Sequence, residues 1–105
     1  MKIMWTDDAI SDWQNIAMYI ATQFGETAFN DFDKATDAAE QMILQQPSSG
    51  MRMQSRKNPQ IDFRFVLINK LSKMIYHIVE DTIYIDIFWD VRQNPKTLNK
   101  RISRI

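Results

Sequence analysis

The feature that most limits the folds open to this chain is a change of period near its middle. Up to about residue 45, apolar side chains recur every three or four positions; from residue 62 they recur at every second one. Ile10, Trp13, Ala17, Ile20 and Phe24 make one stripe, and Ala28, Phe32, Ala35, Ala39, Met42 and Ile43 make another. Each stripe fits one face of a helix. Thr6 supplies an N-cap hydroxyl, and Asp7 and Asp8 follow it at the positive end of the helix dipole. Gly25 stands where a left-handed C-cap belongs, and Pro47-Ser48-Ser49-Gly50 breaks the second helix. Two helices parted by one or two residues predict an antiparallel helical hairpin.

The second half reads as strands. Phe63, Phe65 and Leu67 alternate with Arg64, Val66 and Ile68 within residues 62–69. Turns at Lys70-Leu71-Ser72 and Glu80-Asp81-Thr82 bound a strand over residues 73–79, and a third follows over 83–89. In that strand the alternation predicts Ile83, Ile85, Ile87 and Trp89 against the helices, with Tyr84, Asp86, Phe88 and Asp90 on a half-open face. Lys2 to Trp5 reads as a short strand ahead of the first helix, and residues 51–60, polar and basic, read as a loop. The predicted order is β-α-α-β-β-β. Three strands in a meander with two helices on one face predict an α+β two-layer sandwich, residues 1–105 forming one domain.

Composition removes several functions. The chain of 105 residues has no cysteine and one histidine, which argues against zinc fingers, thiol enzymes and other transition-metal sites; no metal and no cofactor is expected. Its two glycines belong to no phosphate-binding loop. No apolar run approaches the roughly 20 residues of a membrane span, and the opening Met1 to Asp8 lacks a signal-peptide core. The expected location is the cytoplasm, with no membrane partner.

Formal net charge is zero, but the charges are segregated. Residues 1–50 hold two basic and eight acidic groups, whereas residues 92–105 hold five basic groups and no acid. Segregation of this kind speaks to partners rather than to fold. Arg64, Lys70 and Lys73 come from the first two meander strands and their turn, and Arg92 follows the last strand. Lys96, Lys100, Arg101 and Arg104 continue the run. In a meander these groups can converge near one end of the sheet, interleaved with Phe65, Tyr76, Phe88 and Trp89, as on an RNA-binding or phosphate-binding surface. The plainer reading is a solvated basic edge that discourages edge-to-edge pairing. His77, mid-strand, is by type more often a structural residue than a catalyst.

Several stretches taken in order carry a resemblance: Trp5-Thr6-Asp7-Asp8-Ala9, Ile16-Ala17-Met18-Tyr19-Ile20, Phe24-Gly25-Glu26-Thr27-Ala28 and the Pro47 to Gly50 break. Tyr76-His77-Ile78-Val79-Glu80-Asp81 and the run from Ile85 through Arg92 to Pro95 extend it. Across nearly its whole length the chain resembles the RelE/ParE superfamily, the toxins of bacterial type II toxin–antitoxin modules, and more closely its ParE-like, plasmid-stabilisation branch. The resemblance implies growth inhibition neutralised by a cognate antitoxin, with no small-molecule cofactor. It offers two mechanisms. ParE-like members act on DNA gyrase by contact. RelE-like members cut mRNA on the ribosome, activating a ribose 2′-OH against the adjacent phosphate, which needs positive charge and an acid/base side chain.

For cleavage, the implied catalytic set here is Arg64, Lys73, His77 and Arg92. For contact with antitoxin or target, the implied set is Tyr76, Trp89, Lys96, Lys100, Arg101 and Arg104. Residues 91–105 contain no His, Tyr, Asp or Glu, and Leu98 stands where RelE-like enzymes often place a tyrosine. That departure, with zero net charge in place of a ribosome-seeking excess, favours gyrase as the expected target. The alternatives are the ribosome with its mRNA, or a degenerate protein that only binds antitoxin. The tail, with only Leu98, Ile102 and Ile105 to bury, is expected to be dispensable for solubility.

Overall fold

The structure is a computed structural model describing residues 1–53 and 57–105. Strand β1 (Lys2–Trp5) leads into helices α1 (Asp7–Phe24) and α2 (Glu26–Gln45). A 3₁₀ turn at Pro47–Ser49 precedes β2 (Met51–Met53), β3 (Phe63–Leu67), β4 (Ser72–Val79), β5 (Thr82–Asp90) and α3 (Pro95–Ile102). The local signals act as their chemistry requires. The Thr6 hydroxyl accepts from the Ala9 amide at 3.1 Å, capping α1. Gly25, at φ +93, makes the one-residue break between the helices in a conformation that favours glycine.

The sheet runs β1-β5-β4-β3-β2. Its meander pairs are antiparallel, while β1 lies parallel to β5, with Ile3 opposite Ile83. The α1–α2 hairpin covers one face. There Phe32, Ile43, Met74, Tyr76, Ile83, Ile85 and Phe88 form the main core, and Trp5 stacks on Phe88 with ring centroids 5.2 Å apart. Among the described residues, no helix is long and apolar enough to cross a membrane.

Three expectations from the sequence are corrected. Residues 51–53, expected in a loop, form edge strand β2 on β3, with Met51 opposite Phe65 and Met53 opposite Phe63. The backbone groups of β3 that would otherwise face solvent find partners there. Second, the alternation in β5 does not hold to its end. Tyr76 pairs with Ile85 but Ile75 pairs with Ile87, so Asp86 is an extra residue, a β-bulge. Beyond it the faces exchange: Phe88 joins Ile83 and Ile85 under the hairpin, while Ile87 and Trp89 turn to the opposite face. Third, that face is not left half-open. The tail folds into α3, and Leu98 and Ile102 bury themselves against Phe63, Ile75, Ile87 and Trp89. Asn94 caps this helix by accepting from the Lys96 amide, and Pro95 takes its first turn, where a missing N–H costs nothing.

Candidate functional site

The groups proposed for phosphate chemistry do not meet. Arg64 projects from β3 toward the hairpin side and clasps the 3₁₀ turn, donating to the Ser48 and Gly50 carbonyls at 2.8 and 2.9 Å and to Asp62 at 3.0 Å. Its cross-strand partner Tyr76 completes the clasp from within the core. The Tyr76 hydroxyl donates to the Pro47 carbonyl at 2.6 Å and accepts from the Gly50 amide at 3.1 Å, and burial holds its pKa above the ordinary phenol value. Both side chains therefore seat the chain reversal between α2 and β2.

Lys73 and His77 lie on the opposite face of β4. The Lys73 ammonium sits 4.6 Å from the Phe65 ring centroid, and burial lowers its pKa. His77 is sandwiched between the Phe63 and Tyr84 rings, each centroid 5.4 Å away, and its Nδ1 lies 2.5 Å from Asp86 Oδ2. Asp86 is the extra residue of the bulge. Asp86 is 4% exposed; burial raises its pKa, and the imidazole partly offsets this. The pair is a satisfied, largely buried polar contact, and Asp86 also lines a cleft of about 200 Å³ with Arg101 and Arg104.

Arg92 occupies a different place. Just past β5, its guanidinium holds Asp90 through two bonds of 2.7 and 3.1 Å and lies 5.7 Å from the Tyr19 ring centroid on α1. The Asp90 partner keeps the Arg92 pKa raised, and Arg92 in turn lowers that of Asp90. A cleft of about 440 Å³ runs here between α1 and the β3–β4 turn, lined by Ile16, Tyr19, Leu71, Asp90 and Arg92 among others. Half-exposed Tyr19 forms its wall on α1, with the exposed Phe24 ring edge-on to it at 6.1 Å between centroids. Arg92 combines an exposed charge with a concave, partly apolar setting, as contact sites do, and exposed Arg104 lines the second cleft, of about 200 Å³, with Asp8, Asp86, Ile87 and Arg101.

The remaining candidates separate into buried and exposed. Trp89 is 3% exposed, packed in the core beneath α3, and presents no contact surface. Arg101 is tied to Asp12 of α1 through two bonds of 2.8 and 3.2 Å. Lys96, Lys100 and Arg104 point to solvent, and among the described residues none has an acidic partner. On the same side as α3, Met51 and Leu67 expose 66% and 62% of their surface at the β2–β3 edge, next to half-buried Phe65 and Lys73. Sequence reading passed over Tyr19, whose pairing with Arg92 joins positions far apart in the chain. It also passed over the His77–Asp86 pair, which depends on how two strands are paired rather than on spacing along either one.

No curated protein matches this chain. Among solved structures, the chain is similar to one described as the chromosomal ParDE TA system from P. aeruginosa, with a TM-score of 0.66 and 14% identity, covering 86% of this chain and 95% of that one. At that identity the likeness concerns the fold, and it agrees with the α+β arrangement described above. The family model for the ParE toxin of type II toxin-antitoxin system, parDE, matches residues 3–95, from β1 through the start of α3. Most of the chain lies within that match, and this protein belongs to the ParE toxin family of type II toxin–antitoxin systems.

Proposed function

We propose that this protein is a growth-arresting toxin of the cytoplasm, held silent by a cognate antitoxin, and that it acts on DNA gyrase by contact rather than by cutting RNA. The observation that carries the reading is the commitment of the candidate catalytic groups to their own chain. Arg64 is spent on the Ser48–Gly50 turn and His77 on Asp86, while Lys73 sits against the Phe65 ring and Arg92 lies past β5 beside Tyr19. Cleavage needs a phosphate clamp and an acid/base group within reach of one scissile bond. A contact toxin needs an anchor in a cleft with apolar borders, and Arg92 beside Tyr19 supplies one.

The antitoxin that fits is an acidic amphipathic segment. Its apolar side would lie on Met51 and Leu67, with its carboxylates toward Lys73, Lys96, Lys100 and Arg104. The direct assay is supercoiling by purified gyrase titrated with this protein. Inhibition is expected, weakened by about tenfold or more in Arg92→Ala, the scale of an interface hot spot. No effect on gyrase, together with ribosome-dependent cleavage of an mRNA, would transfer the protein to the RNA-cutting mechanism.

A further inference from the structure

The acidic first half and basic tail find a structural expression away from the Arg92 cleft. A groove of about 320 Å³ opens between β1, the start of α1 and the middle of α2, with Trp5 and Trp13 as walls and Asp33, Asp37 and Glu40 along its rim. Among the described residues, no lysine or arginine lines it. The indole N–H groups are turned inward, Trp13 to the Thr36 hydroxyl at 3.0 Å and Trp5 toward Glu40 at 3.5 Å. Among the described residues, none of the three carboxylates has an ion-pair partner. Spaced four and then three residues apart, they share one face of α2 and repel one another. Burial, with a smaller effect of Asp37, raises the pKa of Glu40. Aromatic walls and uncompensated carboxylates together favour an organic cation.

The chain carries a matching cation row. On α3, Leu98 and Ile102 face the core and Arg101 is held by Asp12, which leaves Lys96, Lys100 and, in the turn beyond, Arg104 along the outer side. At 1.5 Å per residue the carboxylate row spans about 10 Å and the cation row about 12 Å. The two rows flank the same end of α1. The groove lies along Ile10, Trp13 and Gln14, and the tail lies along Asp8 and Asp12 on another side of that helix. A contact between the tail of each copy and the groove of the other closes on itself when the two copies are related by a two-fold axis.

We propose that the free protein pairs with a second copy of itself, the Lys96–Lys100 face of each α3 docking along the Trp5–Trp13 groove and its Asp33, Asp37 and Glu40 rim on the other. The contact rests on charge and small apolar walls, so it is weak and salt-dependent. It uses cations that the antitoxin reading also engages, so antitoxin and self-pairing compete. It involves the chain alone, so its fate is independent of the gyrase reading.

Sedimentation velocity on the purified protein tests it. A concentration-dependent dimer is expected at about 0.02 M salt, dissociating by about 0.5 M, where screening reaches only a few ångströms. Asp33→Lys with Asp37→Lys leaves both surfaces basic, and Lys96→Glu with Lys100→Glu leaves both acidic. Each double variant alone should be monomeric. Mixed, they should form a 1:1 dimer, because the basic tail of the first meets the acidic groove of the second as in the wild type, and the reciprocal contact is restored with reversed sign. All four positions are exposed on helices, so the variants keep the core intact. A third variant, Asp31→Lys with Asp81→Lys, changes net charge equally outside the groove. A monomeric wild type, a dimer indifferent to salt, or a mixture that fails to pair would overturn the proposal. So would equal pairing of the third variant with the acidic one.

Discussion

Tyr76 and His77 are neighbours on β4 that face opposite sides of the sheet, and each illustrates why residue type alone misleads about chemistry. The Tyr76 hydroxyl, inside the core, serves one donor and one acceptor of the Pro47–Gly50 reversal. Tyr76→Phe should cost about 1–3 kcal/mol of stability, the penalty for leaving buried backbone groups unpaired, read as a lower urea midpoint. Gly50 is fixed by the same contact, since a Cβ there would lie 2.5 Å from that hydroxyl. At His77 the partner decides which substitution is informative. Phenylalanine would leave the Asp86 carboxyl without its imidazole partner, at a cost of about 1–3 kcal/mol for an unsatisfied buried group. His77→Gln can still donate a hydrogen bond to Asp86. Growth arrest should survive it under the contact mechanism, whereas a nuclease using this imidazole would lose activity.

Asp86 also sets a pH dependence. Its pKa is higher in the folded chain than in the unfolded one, so the folded state binds the proton more tightly. Its burial penalty is absent below the ordinary carboxylate value of about 3.9 and grows as pH rises from there to the raised value. Asp86→Asn removes the titration. The stability difference between the variant and wild type should therefore shift in favour of the variant as pH rises through that window, in denaturant titrations at several pH values. A difference that shifts the other way would mean that His77 outweighs desolvation.

At the scale of elements, the parts written in local sequence were legible. The stripes, the Thr6 cap, Gly25 and the Pro47–Gly50 break specify the hairpin, and alternation specifies β3 and β4. What escaped depends on contacts distant in sequence. A bulge leaves no signature in a run such as Ile83 to Trp89, where either register buries apolar side chains, yet one extra residue reverses the faces beyond it. Helix α3 escaped because it is short and strongly charged, with two buried side chains a turn apart; its stability comes from the sheet beneath it. The tail is consequently part of the core and not a dispensable appendage. Deleting residues 95–105 uncovers Phe63, Ile75, Ile87 and Trp89, and the truncated chain should aggregate. Leu98→Ala alone should cost about 2–5 kcal/mol, measured by urea unfolding.

At the scale of the whole molecule, the sequence carried the family and the α+β arrangement, while the site needed coordinates. Arg64, Lys73, His77 and Arg92 are all compatible with phosphate chemistry as a list of residue types. In the fold they serve a turn, an aromatic ring, a buried carboxylate and a surface cleft. Among them Arg92 offers an anchor in a cleft with an apolar border, which is why the account rests on contact with a target rather than on catalysis. Pulse labelling after controlled induction tests that claim most directly, with DNA synthesis and protein synthesis followed separately. The account predicts an early fall in DNA synthesis while protein synthesis continues. An early fall in protein synthesis with replication intact would contradict it.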